Sequence, residues 1–203
     1  MIADDAASIV RSELLGAANT LAAAADCCSA TAAQAAGLLT ACVRSGGKLL
    51  LCGNGGSAAD CQHIAAEFVN ALRKEALRPA IAAVALTTDT SVLTASANDF
   101  GFDGVYARQV EALGRPGDVL LGLSTSGTSE NVVRAMQSAR DLGLSTVALT
   151  GPGVGAVAEL ATVAIMVPGE TVQRIQEVHI AVGHAICLVV ESSLYPHLMP
   201  DPS

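Results

Sequence analysis

LLCGNGGSAADCQHIAAEF, residues Leu50–Phe68, falls from a short apolar run into a glycine turn and then straight into a helical pattern. An apolar run of this length with no polar alternation reads as a strand buried on both faces, here Lys48 to Cys52. The residues from Ser57 to Leu72 read as the helix that follows. Strand, tight turn and helix in immediate succession form the repeating unit of an α/β fold.

The same alternation continues downstream. Ile81–Leu86, Asp118–Leu123, Ser145–Leu149 and Val163–Val167 read as strands. Between and after them, Ser91–Ala97, Val105–Leu113, Glu130–Leu142 and Thr171–Leu194 read as helices, and Gly143 stops the third. Strands separated by helices require right-handed crossovers and a parallel sheet covered on both faces. The expectation is a five-stranded parallel sheet flanked by helices, a flavodoxin-like three-layer sandwich. Upstream, Ile2–Ala25 and Ser29–Val43 read as two Ala- and Leu-rich helices ended by Ser45-Gly46-Gly47. The chain therefore divides into a helical segment, residues 1–45, and an α/β domain, residues 46–203. The two helices cannot bury their apolar faces alone, so they need the domain or another subunit to cover them.

Composition narrows the function. A chain of 203 residues is long enough for one domain with a proper core. With no Trp, two Tyr and three Phe, that core is built from Ala, Val, Leu and Ile. The net charge of −8 and the lack of a basic stripe argue against direct nucleic-acid binding. No uninterrupted apolar run reaches the ~18 residues of a membrane span. Asp4 and Asp5 stand where a secretory signal carries positive charge. A cytoplasmic protein is the expectation. Cys27, Cys28, Cys42, Cys52, Cys61 and Cys187 show no CxxC spacing, which argues against a disulfide framework or a structural zinc.

Three places could carry chemistry. In the opening stretch, Ser57 and Asp60 form an S-x-x-D pattern of the capping-box type, and the glycines allow a ligand close to the backbone. Gly53, Gly55 and Ala58 match a loose dinucleotide fingerprint, but Thr87-Thr88-Asp89 follows the second strand in place of a clear ribose-binding acid. The second place is Ser124-Thr125-Ser126-Gly127-Thr128-Ser129, between a strand and an amphipathic helix. Five hydroxyls at a helix start exceed what capping needs and make a neutral cradle for a phosphate. No lysine accompanies it, which argues against nucleoside triphosphate chemistry. The third is a pair of helices with polar groups among apolar ones: His63 and Glu67, spaced i,i+4, and Gln176, Glu177, His179 and His184. Buried histidines are commonly structural; two helices that each offer an imidazole and a carboxylate or amide could instead hold a divalent metal or supply an acid and a base.

CGNGGSAADCQHIAAEF, LTTDTSVLTASANDFGF, GRPGDVLLGLSTSGTSENV, TVALTG and RIQEVHIAVGHAIC, in this order, resemble the phosphoheptose isomerase family of sugar isomerase (SIS) domain enzymes. STSGTS alone marks any phosphosugar SIS domain, whereas GNGGSAADCQH with RIQEVH is more specific. The resemblance implies an isomerase acting on sedoheptulose 7-phosphate through an enediol, and a homotetramer. It implies a phosphate held by Ser124, Thr125, Ser126 and Ser129, and a sugar lined by Asn54, Gly55, Gly56, Ser57, Asn98 and Asp99. It further implies a zinc ion on His63, Glu67, Gln176 and His184, with Glu67 as base and His184 as its acid/base partner.

Two points stand against an easy transfer. Gln176 and His184 are about 12 Å apart along an ideal helix and about 80° apart around it, so one ion needs an irregular helix start or ligands from two chains. Glu177 is nearer to the face of His184 and competes with Gln176. Relatives also commonly have Gly-Arg after the catalytic glutamate, where this chain has Asn70-Ala71, with Arg73 as the nearest cation. The same SIS architecture serves other classes: a non-catalytic tetramer that binds the bacterial replication initiator, another phosphosugar enzyme, or a sugar-phosphate sensor. Glu67 and His184 favour the isomerase; the SSLYPH tail, Ser192–His197, leans towards the initiator-binding group.

Overall fold

Strand β1 (Leu49–Gly53) is buried along its whole length, as an unalternating apolar run requires in a doubly covered sheet. In this computed structural model, which describes residues 3–73 and 77–198, β2 (Ala83–Ala85), β3 (Val119–Ser124), β4 (Ser145–Thr150) and β5 (Val163–Met166) complete the sheet. All pairings are parallel, and the spatial order is β2-β1-β3-β4-β5. That is the flavodoxin order, whose ligand crevice opens beyond the strand ends where the order reverses, between β1 and β3. Gly53 of β1 pairs with Leu123 of β3. The glycine turn and the hydroxyl loop therefore leave the sheet side by side.

Alternate residues of each strand face opposite layers. Leu49, Leu51, Leu121, Leu123, Val147 and Leu149 point into one apolar core. It is shared with α1 (Ala3–Arg44), α2 (Gly56–Val69) and α7 (Val172–Leu194). Leu50, Cys52, Leu120 and Ala148 point into the other, under α4 (Val105–Leu113) and α5 (Glu130–Asp141). The remaining helices are α3 (Thr90–Phe100) and the single turn α6 (Ala156–Glu159), with short 3-10 turns at Phe102–Gly104 and Pro196–Leu198.

The two expected N-terminal helices are one. From Ala3 to Arg44 the helix runs unbroken through Asp26-Cys27-Cys28. No proline interrupts it, and Ala24 and Cys28 are buried on the fold side; the composition change there is a change of face, not a break. Ile2, where the first helix was expected to begin, lies outside the described residues. Strand β2 is half the expected length because Ile81 turns away to donate its N–H to the Phe68 carbonyl. Helix α7 starts regularly at Val172, with the Thr171 side chain at its N-terminus, so no irregular helix start accompanies Gln176. Although α7 is long and apolar enough to cross a bilayer, it buries His179 and Glu191 within this fold.

Candidate active site

Helices α2 and α7 run side by side in the same direction, which aligns their polar residues turn by turn. The Gln176 side chain lies where a Cβ on Gly56 would fall, and Ile64 lies against Gly183. Further along, the backbone N–H of Leu72 donates to Glu191 Oε1 at 3.1 Å. At Gly183 a Cβ would come within 2.6 Å of Ile64 Cδ1, so the missing side chain is what lets the helices close up.

The pairing brings His63 and Glu67 of α2 together with His184 of α7, their three ligand atoms within 4.8 Å of one another. His63 Nε2 is 2.8 Å from His184 Nε2 and 3.4 Å from Glu67 Oε1. Two ring nitrogens this close need a proton or a cation between their lone pairs. Two imidazoles, a carboxylate and an open side form a donor set that zinc takes in catalytic sites. His63 remains about half exposed, so the cluster opens to solvent. The residues present fit a divalent metal.

Gln176 stands at the neighbouring turn, against Gly56 and facing the Asp60 carboxylate. Glu177 is turned to Arg174, which holds both its oxygens at 2.8 and 2.6 Å and also pairs with Glu13 of α1. Of the two rivals, Gln176 is the one directed at α2.

Asp60 departs from its expected role. Helix α2 is capped by Gly55 at φ 54°, with no side-chain hydrogen bond, so Ser57 and Asp60 are not a capping box. Both are buried, and Asp60 Oδ2 has no hydrogen-bond partner among the described residues. Burial raises the Asp60 carboxyl above the usual range, against the opposing pull of the Gln176 amide and the His63 and His184 rings. Asp60, buried and facing Gln176, joins the candidate site as a group that sequence reading missed, although its i,i+3 spacing from His63 put it on the same helix face.

The hydroxyl loop stands at the start of α5, beside the glycine turn. Ser129 is the N-cap of α5, yet its side chain makes no capping bond. It accepts instead from Ser124 Oγ at 3.0 Å. Ser126 Oγ lies 3.4 Å from Ser124 Oγ and accepts from the Thr128 N–H at 3.3 Å. Ser124, Ser126, Thr128 and Ser129 are thus tied to one another, and the Ser129 side chain leaves the start of α5 uncapped, the kind of helix N-terminus that can take an anion. Gly127, at φ 69°, turns the loop. Tyr106 from α4 donates to the Gly53 carbonyl at 2.5 Å and props the adjoining glycine turn.

Asn98 and Asp99 are not brought to these groups. They sit exposed at the end of α3, where Asn98 donates to Asp99 at 2.8 Å. The cation question also changes. Arg78 is fully buried on Glu191 and on the Glu67, Phe68 and Pro79 carbonyls, so it is withdrawn from any substrate.

The SIS domain model matches residues 16–151. A phosphoheptose isomerase from Rhodospirillum rubrum is 52% identical over 177 residues, covering 84% of this chain and 93% of the relative. One from Akkermansia muciniphila is 50% identical over 186 residues, covering 92% and 97%. A solved phosphoheptose isomerase from Neisseria gonorrhoeae superposes with a TM-score of 0.85 at 44% identity, covering 91% of this chain and 98% of that one.

Proposed function

This chain belongs to the phosphoheptose isomerase family of SIS-domain proteins, and we propose that it interconverts D-sedoheptulose 7-phosphate and D-glycero-D-manno-heptose 7-phosphate. It is an aldose–ketose isomerase, and the relatives give the initiator-binding alternative no support. The observation that carries the reading is the meeting of Glu67 and His184, from separate helices, at one point.

The roles follow from the chemistry of each group. Ser124, Thr125, Ser126 and Ser129 hold the phosphate through hydroxyls and the α5 N-terminus, and so set the distance from C7 to the reacting carbons. Gly55, Gly56 and Ser57 border the sugar. Glu67 removes the proton from C1 of the ketose and returns it to C2, while His184 carries the hydroxyl proton from O1 to O2. The bonds balance: one C–H breaks and one forms, and the carbonyl moves from C2 to C1 with no oxidant. His63, Glu67, His184 and the adjacent Gln176 would hold a zinc ion, which when bound supplies an electrophile for the oxyanion that develops on the enediol. Asp60, buried behind Gln176, orients that amide.

The apolar α1–α7 face supports a homotetramer, and the family assignment supports a cytoplasmic enzyme. The reading is tested by incubating the purified protein with sedoheptulose 7-phosphate and following formation of the aldose. Turnover that is lost on chelation and restored by zinc is expected. Full activity after verified removal of all metal would overturn the zinc assignment, and no turnover of any heptose phosphate would overturn the isomerase.

A further inference from the structure

Two amides face each other across the crevice between β1 and β3. Asn54 Nδ2 donates to Asn131 Oδ1 at 2.9 Å, and Asn131 Nδ2 donates back to Asn54 Oδ1 at 2.8 Å. Asn54 directly follows β1 in the glycine turn, and Asn131 lies in the first turn of α5, just past the hydroxyl loop. Asn131 is 3% exposed, so it has no part in touching a ligand. Asn54 is half-buried at the crevice edge.

A reciprocal pair fixes both amides at once. Turning either by 180° would set N–H against N–H and C=O against C=O, leaving buried groups unsatisfied. The Asn54 side chain is therefore not free to choose its orientation towards a sugar. Its position, and that of the glycine turn carrying it, is referred to the helix that carries the phosphate loop. The two halves of a phosphosugar site are also joined through the sheet, where their strands are neighbours, and through Tyr106 of α4 on the Gly53 carbonyl, but the reciprocal amide pair links the glycine turn directly to α5.

We propose that Asn131 is a positioning residue of this isomerase: it clamps Asn54 and so holds the sugar-facing turn in register with the phosphate-facing loop. Asn54 then acts through Asn131 rather than by an independent contact. The inference rests on the phosphosugar reading above.

Asn131→Leu, Asn131→Asp, Asn54→Ala and the Asn54→Ala/Asn131→Leu double variant separate the possibilities, each checked for native melting behaviour. Leu keeps the volume and removes both bonds; Asp keeps the shape and the acceptor but cannot donate. Loss of two buried hydrogen bonds predicts roughly a ten- to hundredfold fall in kcat/KM for sedoheptulose 7-phosphate in each single variant. Competitive inhibition by inorganic phosphate, which needs only the hydroxyl loop, shifts by less than about threefold. The double variant falls no further than the singles, because both changes remove one device. Wild-type kinetics in Asn131→Asp or Asn131→Leu, or losses that multiply in the double variant, would overturn the clamp. If the unmodified protein turns over no heptose phosphate, that failure belongs to the isomerase reading; the clamp is then judged by the same variants and the same criteria in calorimetric binding of sedoheptulose 7-phosphate and of inorganic phosphate.

Discussion

His179 shows what one buried residue does to the pH response of the fold. It is fully buried on α7, and among the described residues neither ring nitrogen finds a hydrogen-bond partner. Burial pushes its pKa down to about 4, against a smaller opposite pull from the Thr150 backbone. The unfolded chain binds this proton near pH 6.5 and the folded chain refuses it until about pH 4, so between those values the unfolded state holds more protons and stability falls as pH falls. Above pH 6.5 the effect vanishes. Urea midpoints should show a loss of roughly 2 kcal/mol on going from pH 7 to pH 5 that His179→Leu lacks; the same loss in both proteins would refute this source. At this scale the sequence was partly legible. His63 and Glu67 share a face by spacing alone. The choice of Gln176 over Glu177 needed Arg174 and Glu13, the latter 161 positions away. Asp60 was hidden because S-x-x-D is a local pattern, whereas burial against α7 is not.

Between elements, one tie is a buried ion pair. Arg78 Nε donates to Glu191 Oε1 at 2.6 Å, with both side chains fully enclosed. Its Nη2 donates to the backbone carbonyl of Glu67 itself at 2.8 Å, and its Nη1 to that of Phe68 at 2.9 Å. One guanidinium thus closes the C-terminal end of α2, which the helix leaves unsatisfied, and pins it to α7. Removing one partner strands a buried charge, so Arg78→Met should cost about 3–5 kcal/mol of stability. An Arg78→Met/Glu191→Leu pair should regain much of that stability yet keep a reduced kcat, because the turn bearing Glu67 stays released. Recovery of kcat in step with stability would show the pair to be structural only. The order of strands and helices could be read from hydropathy periods, and the hydroxyl loop from its excess of Ser and Thr. The parallel match of α2 with α7 could not, since it depends on Gly183 meeting Ile64 across 119 residues of chain.

As a whole, the molecule leaves an apolar surface uncovered. Ile9, Val10, Leu14 and Leu15 of α1 are half exposed or more. Beside them, a groove of about 380 Å³ between α1 and α7 is lined by Leu21, Ala25, Ala32, Val182, Ala185 and Val189. Sequence reading expected the domain or another subunit to cover these residues, and it divided the helix that presents them. Sedimentation should give the mass of four chains, and Ala185→Arg, which puts a charge in the groove, should shift the assembly to smaller species. A monomeric unmodified protein at micromolar concentration would refute this.

Helices α2 and α7 bring one carboxylate, Glu67, and one imidazole, His184, to one point, and under the proposed function that point receives the reacting carbon of a substrate held by its distant phosphate. The direct measurement is the rate at which Glu67→Gln converts sedoheptulose 7-phosphate, compared with the unmodified chain at equal metal content and equal affinity for inorganic phosphate. A fall of about a thousandfold or more is predicted. A Glu67→Gln protein that isomerises the ketose at the unmodified rate would mean that the proton moves by another group.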